Sequence, residues 1–347
     1  MTMKYCVLLF LLALIGLTET AQAADNEGLM ISASRLQELR AQPEKWQALR
    51  KRCDKELNDA PHAVYNFAPA PHYTSSGVSH DESARYLTID AGVAYRSALC
   101  FQLTGDPSFA RHTQSIAQAW AVTLKYVQKG QGSAEVNFNM PQLIVAASWV
   151  RAYENWDDKA FRQMLVTIAA PASHANHANN HGNWGVLLET AIAAYLEDES
   201  LLTKAKSRWE TLMLKQVADD GSLPLEICRS NTNVYCGGSD KGVNGISYTH
   251  YLLLPTTLAA EIFYQRGRNL YVTEAGERLH LAYTKAAEWT QFPERFPFFE
   301  SNHRKLNGIR NAAYFYVLQR YFKDAIADQV IERGALSMNS FELNLVK

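Results

Sequence analysis

Apolar residues recur with a helical period along most of this chain, which excludes nearly every sheet-based fold. Trp184, Leu187, Leu188, Ala191, Ile192 and Tyr195 fall at i, i+3, i+4, i+7, i+8 and i+11, spacing that lays one stripe along an α-helix. Leu143, Ile144, Ala147 and Val150 repeat the pattern upstream. The same spacing predicts helices over about 33–57, 82–104, 107–128, 157–169, 199–217, 247–267, 271–290 and 306–332. Strand-like alternation is nearly absent. Gly105-Asp106-Pro107, Gly130-Gln131-Gly132, Ala170-Pro171 and Asp219-Asp220-Gly221 interrupt the pattern with turn chemistry. Consecutive helical hairpins must bury their stripes against neighbours, and a ring of them in one or two layers does so for 347 residues. The expected fold class is all-α. Residues 61–81 and 219–246 lack the period, and long irregular segments in a helical domain are usually functional loops.

The N-terminus reads differently. Lys4, an apolar run from Cys6 to Leu17, and Ala21-Gln22-Ala23 form a signal-peptide pattern over residues 1–23, leaving one domain over 24–347. The run is shorter than the roughly 20 residues that span a bilayer, so no membrane anchor is expected and the localisation reads as periplasmic or secreted. Cleavage removes Cys6 and leaves Cys53, Cys100, Cys228 and Cys236. The local pair Cys228 and Cys236 is the favoured disulfide, with Cys53 and Cys100 as its complement; other connectivities and free thiols stay open. A net charge of −1 gives no long-range field, and the basic residues are scattered, so nucleic acid is not expected as a partner.

Two polar clusters carry chemistry. The first is Asn179-Asn180-His181-Gly182-Asn183-Trp184, a poor composition for filling a core. Asn179 suits a helix cap, while Asn180, His181 and Trp184 together suit a carbohydrate: amides bind hydroxyls or carboxylates, imidazole moves protons, and an indole stacks on a sugar ring. His174, His177 and His181, at i, i+3 and i+7, would share one face of a continuous helix and offer zinc ligands, although Pro171 and Gly182 argue against that continuity. The expectation is no metal and no cofactor.

The second cluster holds Arg229, Tyr248, His250 and Tyr251. Arginine grips a carboxylate with two hydrogen bonds, and a tyrosine hydroxyl exchanges protons if a neighbouring cation lowers its pKa. These are the parts of a β-elimination site. In a 4-linked uronic acid the C5 hydrogen is acidified by the adjacent carboxyl group. Cleavage of the C4–O bond needs that carboxylate neutralised, the C5 proton removed and the leaving oxygen protonated. Asn180 and Arg229 are candidates for the first task, His181 and Tyr248 for the proton transfers.

The blocks Asn179 to Trp184, Leu223-Pro224-Leu225-Glu226-Ile227-Cys228-Arg229 and Ser247-Tyr248-Thr249-His250-Tyr251 resemble, in order, the signature blocks of the alginate lyase domain family, nearest to the bacterial mannuronate-specific enzymes. With Asp90-Ala91 to Gly105-Asp106 and Ala119-Trp120, the resemblance covers roughly residues 80–265. It implies an (α/α) toroid in which the matching asparagine and arginine neutralise the substrate carboxylate and the histidine and tyrosine handle protons. It also places residues 61–81, with Tyr65, His72 and Tyr73, where related lyases carry a lid, which makes Tyr73 a substrate-binding candidate. The chain departs from the family in a longer segment between Arg229 and Tyr248, and in Gly182-Asn183 where serine-tyrosine is common.

Further candidates are Asn137, Asn139 and Gln142, expected to precede or open a helix beside the groove, with Asn139 a rival cap before Pro141. Tyr251 is better spaced than His250 to share a helix face with Tyr248. Arg310 is a candidate carboxylate contact. The expectation is a monomeric polysaccharide lyase acting on an anionic polysaccharide. One rival is a helical-toroid glycoside hydrolase using Glu226 and Asp240 as its two carboxylates. In the family-like block, though, Glu226 reads more simply as a partner for Arg229. The other rival is a non-catalytic uronate-glycan-binding protein on a lyase scaffold.

Overall fold

Capping residues and prolines divide the chain into helices close to the expected ones. The computed structural model describes residues 28–74, 77–78, 82–231, 235–307, 312–334 and 336. The expected signal segment lies outside them. The helices are α1 (Ala33–Arg40), α2 (Pro43–Glu56), α3 (Arg85–Thr104), α4 (Pro107–Thr123), α5 (Gln131–Val150), α6 (Lys159–Met164), α7 (Asn180–Leu196), α8 (Glu199–Gln216), α9 (Pro224–Ile227), α10 (Gly245–Gln265), α11 (Glu274–Gln291), α12 (Tyr314–Phe322) and α13 (Ala325–Glu332). Side-chain caps from Ser32, Asp106, Asn179, Asp198, Thr273 and Asp324 satisfy amides that each first turn leaves unpaired.

Four expected helices are shorter or broken. The 157–169 stretch is α-helical only over α6 and goes on as a π-helical turn over Leu165–Ala169. The 33–57 stretch divides where Pro43 starts α2. The 107–128 stretch ends at Thr123, because Tyr126–Val127 pairs as a short parallel strand with Asn66–Phe67. The C-terminal stretch breaks at Lys323, which turns left-handed at φ 51°. A second two-residue pair, Tyr73–Thr74 with Gly77–Val78, lies within the irregular 61–81 segment.

Helices α3, α5, α7 and α10 pack each against the next, and α12 packs on α10. Around them α2 covers α3, α4 covers α3 and α5, α8 covers α7, and α11 lies on α8 and α10. The result is the double-layered helical toroid. Inner helices are buried on nearly every side. On α7, Asn183, Val186, Thr190, Ala193 and Ala194 are buried as well as the stripe, so the one-sided amphipathic helix read from Trp184 to Tyr195 is replaced by all-round burial between two layers.

Hydrogen bonds at the helix ends give the direction of the inner layer. Gln102 near the end of α3 donates to the Trp149 carbonyl near the end of α5 at 2.6 Å. Arg151, just beyond α5, donates to the Tyr195 carbonyl near the end of α7 at 3.2 Å, and Arg266, just beyond α10, to the Ala194 carbonyl at 2.9 Å. The four helices therefore run parallel, and their N-termini share the opposite rim. Disulfides join Cys53 to Cys100, tying α2 to α3, and Cys228 to Cys236.

Candidate active site

The rim with the helix N-termini carries both polar clusters. After Pro171 the chain folds back along α7, and two glycines permit it. A Cβ on Gly182 would stand 2.0 Å from the His177 carbonyl oxygen, and one on Gly185 would stand 2.1 Å from the Ala175 nitrogen. Asn137 secures the same segment: its Nδ2 donates to the Ala172 carbonyl at 2.7 Å and its Oδ1 accepts from the His174 amide at 3.0 Å. It is fully buried, and so braces a loop rather than lining the groove.

Asn179 caps α7, its Oδ1 accepting from the His181 amide at 3.2 Å. Asn180 and His181 then open the helix. Glu226 on α9 takes both of its hydrogen bonds from Asn180: Oε1 from the backbone N–H at 2.7 Å and Oε2 from Nδ2 at 2.9 Å. The expected partner, Arg229, makes no side-chain hydrogen bond to the Glu226 carboxylate among the described residues: its guanidinium acts there through charge, and its backbone amide donates to the Glu226 carbonyl at 3.1 Å. Burial pushes the Glu226 carboxyl up to about 7, against the lowering effects of the Asn180 hydrogen bonds and Arg229.

Arg229 follows α9, and its guanidinium lies 4.1 Å from the ring centroids of both Tyr235 and Tyr248, a cation held between two aromatic faces. The longer Arg229-to-Tyr248 segment does not separate the two residues, because its base is pinned. The Asn244 amide donates to the Arg229 carbonyl at 3.0 Å, Asn244 Nδ2 to the Ser230 carbonyl at 2.9 Å, and the Gly242 amide to the Cys228 carbonyl at 3.1 Å. Tyr248 sits in the first turns of α10, and its hydroxyl lies 2.9 Å from that of Tyr73. The irregular 61–81 segment thus reaches the catalytic candidates through Tyr73. Phe138, Trp184 and Tyr251 form an aromatic floor, with ring centroids 5.1 to 5.5 Å apart, and the Phe138 ring lies 5.5 Å from His181.

Electrostatics corrects one expectation. Burial raises the Tyr248 hydroxyl above the usual phenol value, and the Arg229 charge only partly offsets it. Tyr248 is therefore a protonated donor rather than an acidified phenol. His181 is held down at about 4, first by burial and then by His174, His177 and Arg229, which leaves it neutral near pH 7. Five buried polar atoms here have no hydrogen-bond partner among the described residues: Asn180 Oδ1, His181 Nδ1, His174 Nδ1, Arg229 Nε and Trp184 Nε1. Buried polar groups are normally paired, so this concentration marks a place built to receive a polar ligand. The first turns of α5, α7 and α10 hold no acidic residue, so their amide ends add local positive potential that the net charge does not reveal.

Other candidates are placed differently. Trp184 is 4% exposed and packs on Phe138 and Tyr251, so it supports the floor and offers no face to a sugar. Asn139 neither caps nor precedes a helix: α5 runs through Pro141, and Asn139 Nδ2 donates to the Glu135 carbonyl and carboxylate at 2.9 and 3.1 Å. Gln142 is buried in the same helix. His250 points the other way from Tyr248, fully buried, with Nδ1 2.7 Å from the Tyr314 hydroxyl and Nε2 3.1 Å from Thr290. Tyr251 does share the Tyr248 side, at a 6.0 Å ring separation. Arg310 lies outside the described residues.

The three histidines do come together, but not on a helix, since α7 begins only at Asn180. His174 stacks on His177 at 4.7 Å and both rings lie within 6.0 Å of His181. Among the described residues no three His, Cys, Asp or Glu side chains form a group that could hold a metal ion. Gly182 and Asn183 also prove to be packing features. Asn183 hydrogen-bonds Gln216 on α8 and Thr256 on α10, so neither residue reaches the cleft.

Sequence reasoning missed Tyr235 and Phe138. Tyr235 adjoins Cys236, and a residue beside a loop disulfide is held where it can act, which was a usable signal. Phe138 carried none beyond its place on α5, four residues from Gln142.

The Alginate lyase family model matches residues 32–296. A protein of Stenotrophomonas maltophilia described as a polysaccharide lyase is 28% identical over 184 residues, 49% of this chain and 51% of that one; the match thus spans about half the length of that relative. An alginate lyase structure from Bacteroides ovatus superposes with a TM-score of 0.69 at 13% identity, covering 93% of this chain and 99% of that one. Alginate lyase A1-III from Sphingomonas species A1 does so with a TM-score of 0.64 at 18% identity, covering 86% and 93%. At these identities the solved structures speak to the fold. The family match extends over most of the described toroid and spans Asn180, His181, Arg229 and Tyr248, and this chain belongs to the alginate lyase family.

Proposed function

We propose that this protein is a polysaccharide lyase that cleaves a 4-linked uronic acid polymer, alginate first, by β-elimination. The observation that carries the reading is the convergence of Arg229, Asn180, neutral His181 and protonated Tyr248 on one rim, among buried polar atoms that have no partner among the described residues. Arg229 and the Asn180 carboxamide receive the substrate carboxylate, which stabilises negative charge spreading from C5 onto that group as the proton leaves. His181, uncharged at neutral pH, accepts the C5 proton. The electron pair forms the C4–C5 double bond as the C4–O bond breaks, and the Tyr248 hydroxyl protonates the departing O4. A proton passed from His181 to Tyr248 restores both groups. Tyr73, hydrogen-bonded to Tyr248, orients the phenol and covers the site.

The hydrolase alternative loses its carboxylate pair, because both Glu226 oxygens are taken by Asn180 and the side chain is fully buried. A periplasmic or secreted location, from residues 1–23, belongs to the same proposal. The test is to incubate the purified protein with a panel of uronic acid polymers and follow absorbance of the unsaturated product together with product length. Absorbance rising as the chains shorten is the expected result; reducing ends without an absorbing product would mean hydrolysis, and binding without cleavage a glycan-binding role.

A further inference from the structure

The contact between Glu226 and Asn180 orients a proposed carboxylate-binding group and can reverse its polarity. As they stand, Asn180 Nδ2 is turned toward Glu226, and Oδ1 is left buried without a partner among the described residues. That edge suits a substrate carboxylate poorly, since an amide oxygen and a carboxylate repel. The carboxamide rotated half a turn would present Nδ2 to the substrate instead, and the exchange of oxygen and nitrogen costs no space. It requires a donor on Glu226, because Oδ1 would then face Oε2.

We propose that Glu226 is a positioning residue whose carboxyl proton selects which edge of the Asn180 carboxamide faces the substrate. Protonated Glu226 donates from Oε2 to Asn180 Oδ1, Oε1 still accepts the Asn180 backbone N–H, and both protons of Nδ2 are freed for the uronate carboxylate. Ionised Glu226 holds Nδ2 for itself and turns the amide oxygen outward. Every buried polar atom of the pair is satisfied in the protonated arrangement when substrate is bound, and not in the ionised one.

The charged and titratable groups around Glu226 leave it as the one that switches. Arg229 beyond α9 stays cationic; one step further out, His181 on α7 is held down at about 4 and Tyr248 on α10 is held above the usual phenol value, both by burial first. Glu226, buried on every side, titrates near neutrality. Its ionised form is the one that fails to present the N–H donors, so uronate binding weakens as pH rises.

This inference rests on the lyase reading, and one arm of its test does not need activity. In steady-state kinetics on alginate from about pH 6 to 9, KM of the native protein should rise about tenfold per pH unit above the Glu226 transition, with a smaller change in kcat. Glu226→Gln, whose Nε2 donates permanently to Asn180 Oδ1, should keep the low-pH KM within about threefold and remove its pH dependence. A purely structural role would not move the KM profile in this way. Infrared difference spectroscopy on the folded protein should show a protonated carboxyl band at pH 6 that is lost by pH 9 and missing from Glu226→Gln. A flat native KM, a Glu226→Gln profile that still rises with pH, or the absence of that band would overturn the proposal. Failure of the native protein to form unsaturated product from any uronate polymer would instead overturn the lyase reading, with the infrared result still deciding the protonation of Glu226.

Discussion

Asn180 and His181 are adjacent in sequence yet belong to two differently built polar regions. Asn180 is locked to Glu226, 46 residues away, by two hydrogen bonds in full burial. His181 faces His174 and His177, from its own neighbourhood, at ring distances of 5.5 and 6.0 Å with its Nδ1 unpartnered among the described residues. The first region fixes geometry through directed bonds across the toroid; the second sets charge, because burial first, and then two nearby imidazoles, keep His181 neutral. One rim therefore sets a carboxamide fixed by directed bonds beside an uncharged imidazole.

The largest expected effect removes the proton-transfer side. Tyr248→Phe and His181→Ala should each lower kcat by about 10²- to 10⁴-fold, read by product absorbance, with circular dichroism unchanged. Activity within a few fold of the native protein in both variants would sink the division of roles.

Gly182→Ala should strain the contact that holds the histidine segment on α7, since the new methyl would stand 2.0 Å from the His177 carbonyl oxygen. A loss of about 1–3 kcal/mol is expected from overpacking, seen as a lower urea midpoint, and an unchanged midpoint would show that the segment moves freely.

A pH effect on stability separates the regions further. His181 and His250 have depressed values of about 4 and about 3 in the folded state, both set first by burial. The unfolded chain therefore takes up their protons first as pH falls below about 6.5. Their stability contribution is present above that value and is lost as pH drops through 4 toward 3. Glu226, raised by burial, has the opposite sign: its contribution weakens as pH rises from the ordinary carboxylate range through about 7. Urea unfolding against pH should show a shallower acid slope in His181→Ala than in the native protein; identical slopes would count against a buried neutral imidazole.

The smallest effect concerns the neighbours. His174→Ala and His177→Ala remove charges that depress His181, so the acid limb of the rate profile should move to higher pH by less than one unit, with kcat at the optimum within about threefold. A shift to lower pH would contradict the electrostatic reading of the cluster.

Much of the architecture is legible locally. Helices α3, α8, α10 and α11 start and stop within a few residues of where period and caps put them, because the 3.6-residue repeat and the capping of free amides act over short range. The order of the Asn180-His181, Arg229 and Tyr248 blocks was likewise readable. Inner and outer layers were not distinguishable: on α7 the stripe residues and the small residues opposite them are all buried, and one helix cannot state what covers its second face.

The sequence by itself determined the helical class, the position of most helices and the set of groups available for the chemistry, since these follow from residue type and spacing. Only the tertiary structure decided that Glu226 binds Asn180 rather than Arg229, that His250 turns into the core, that Trp184 supports the site instead of stacking on a sugar, and that burial raises Tyr248 despite its cation. Hydrogen-bond partners and pKa values depend on which surfaces lose their water and what lies within a few ångströms of them. Chain contacts between residues far apart in sequence set both.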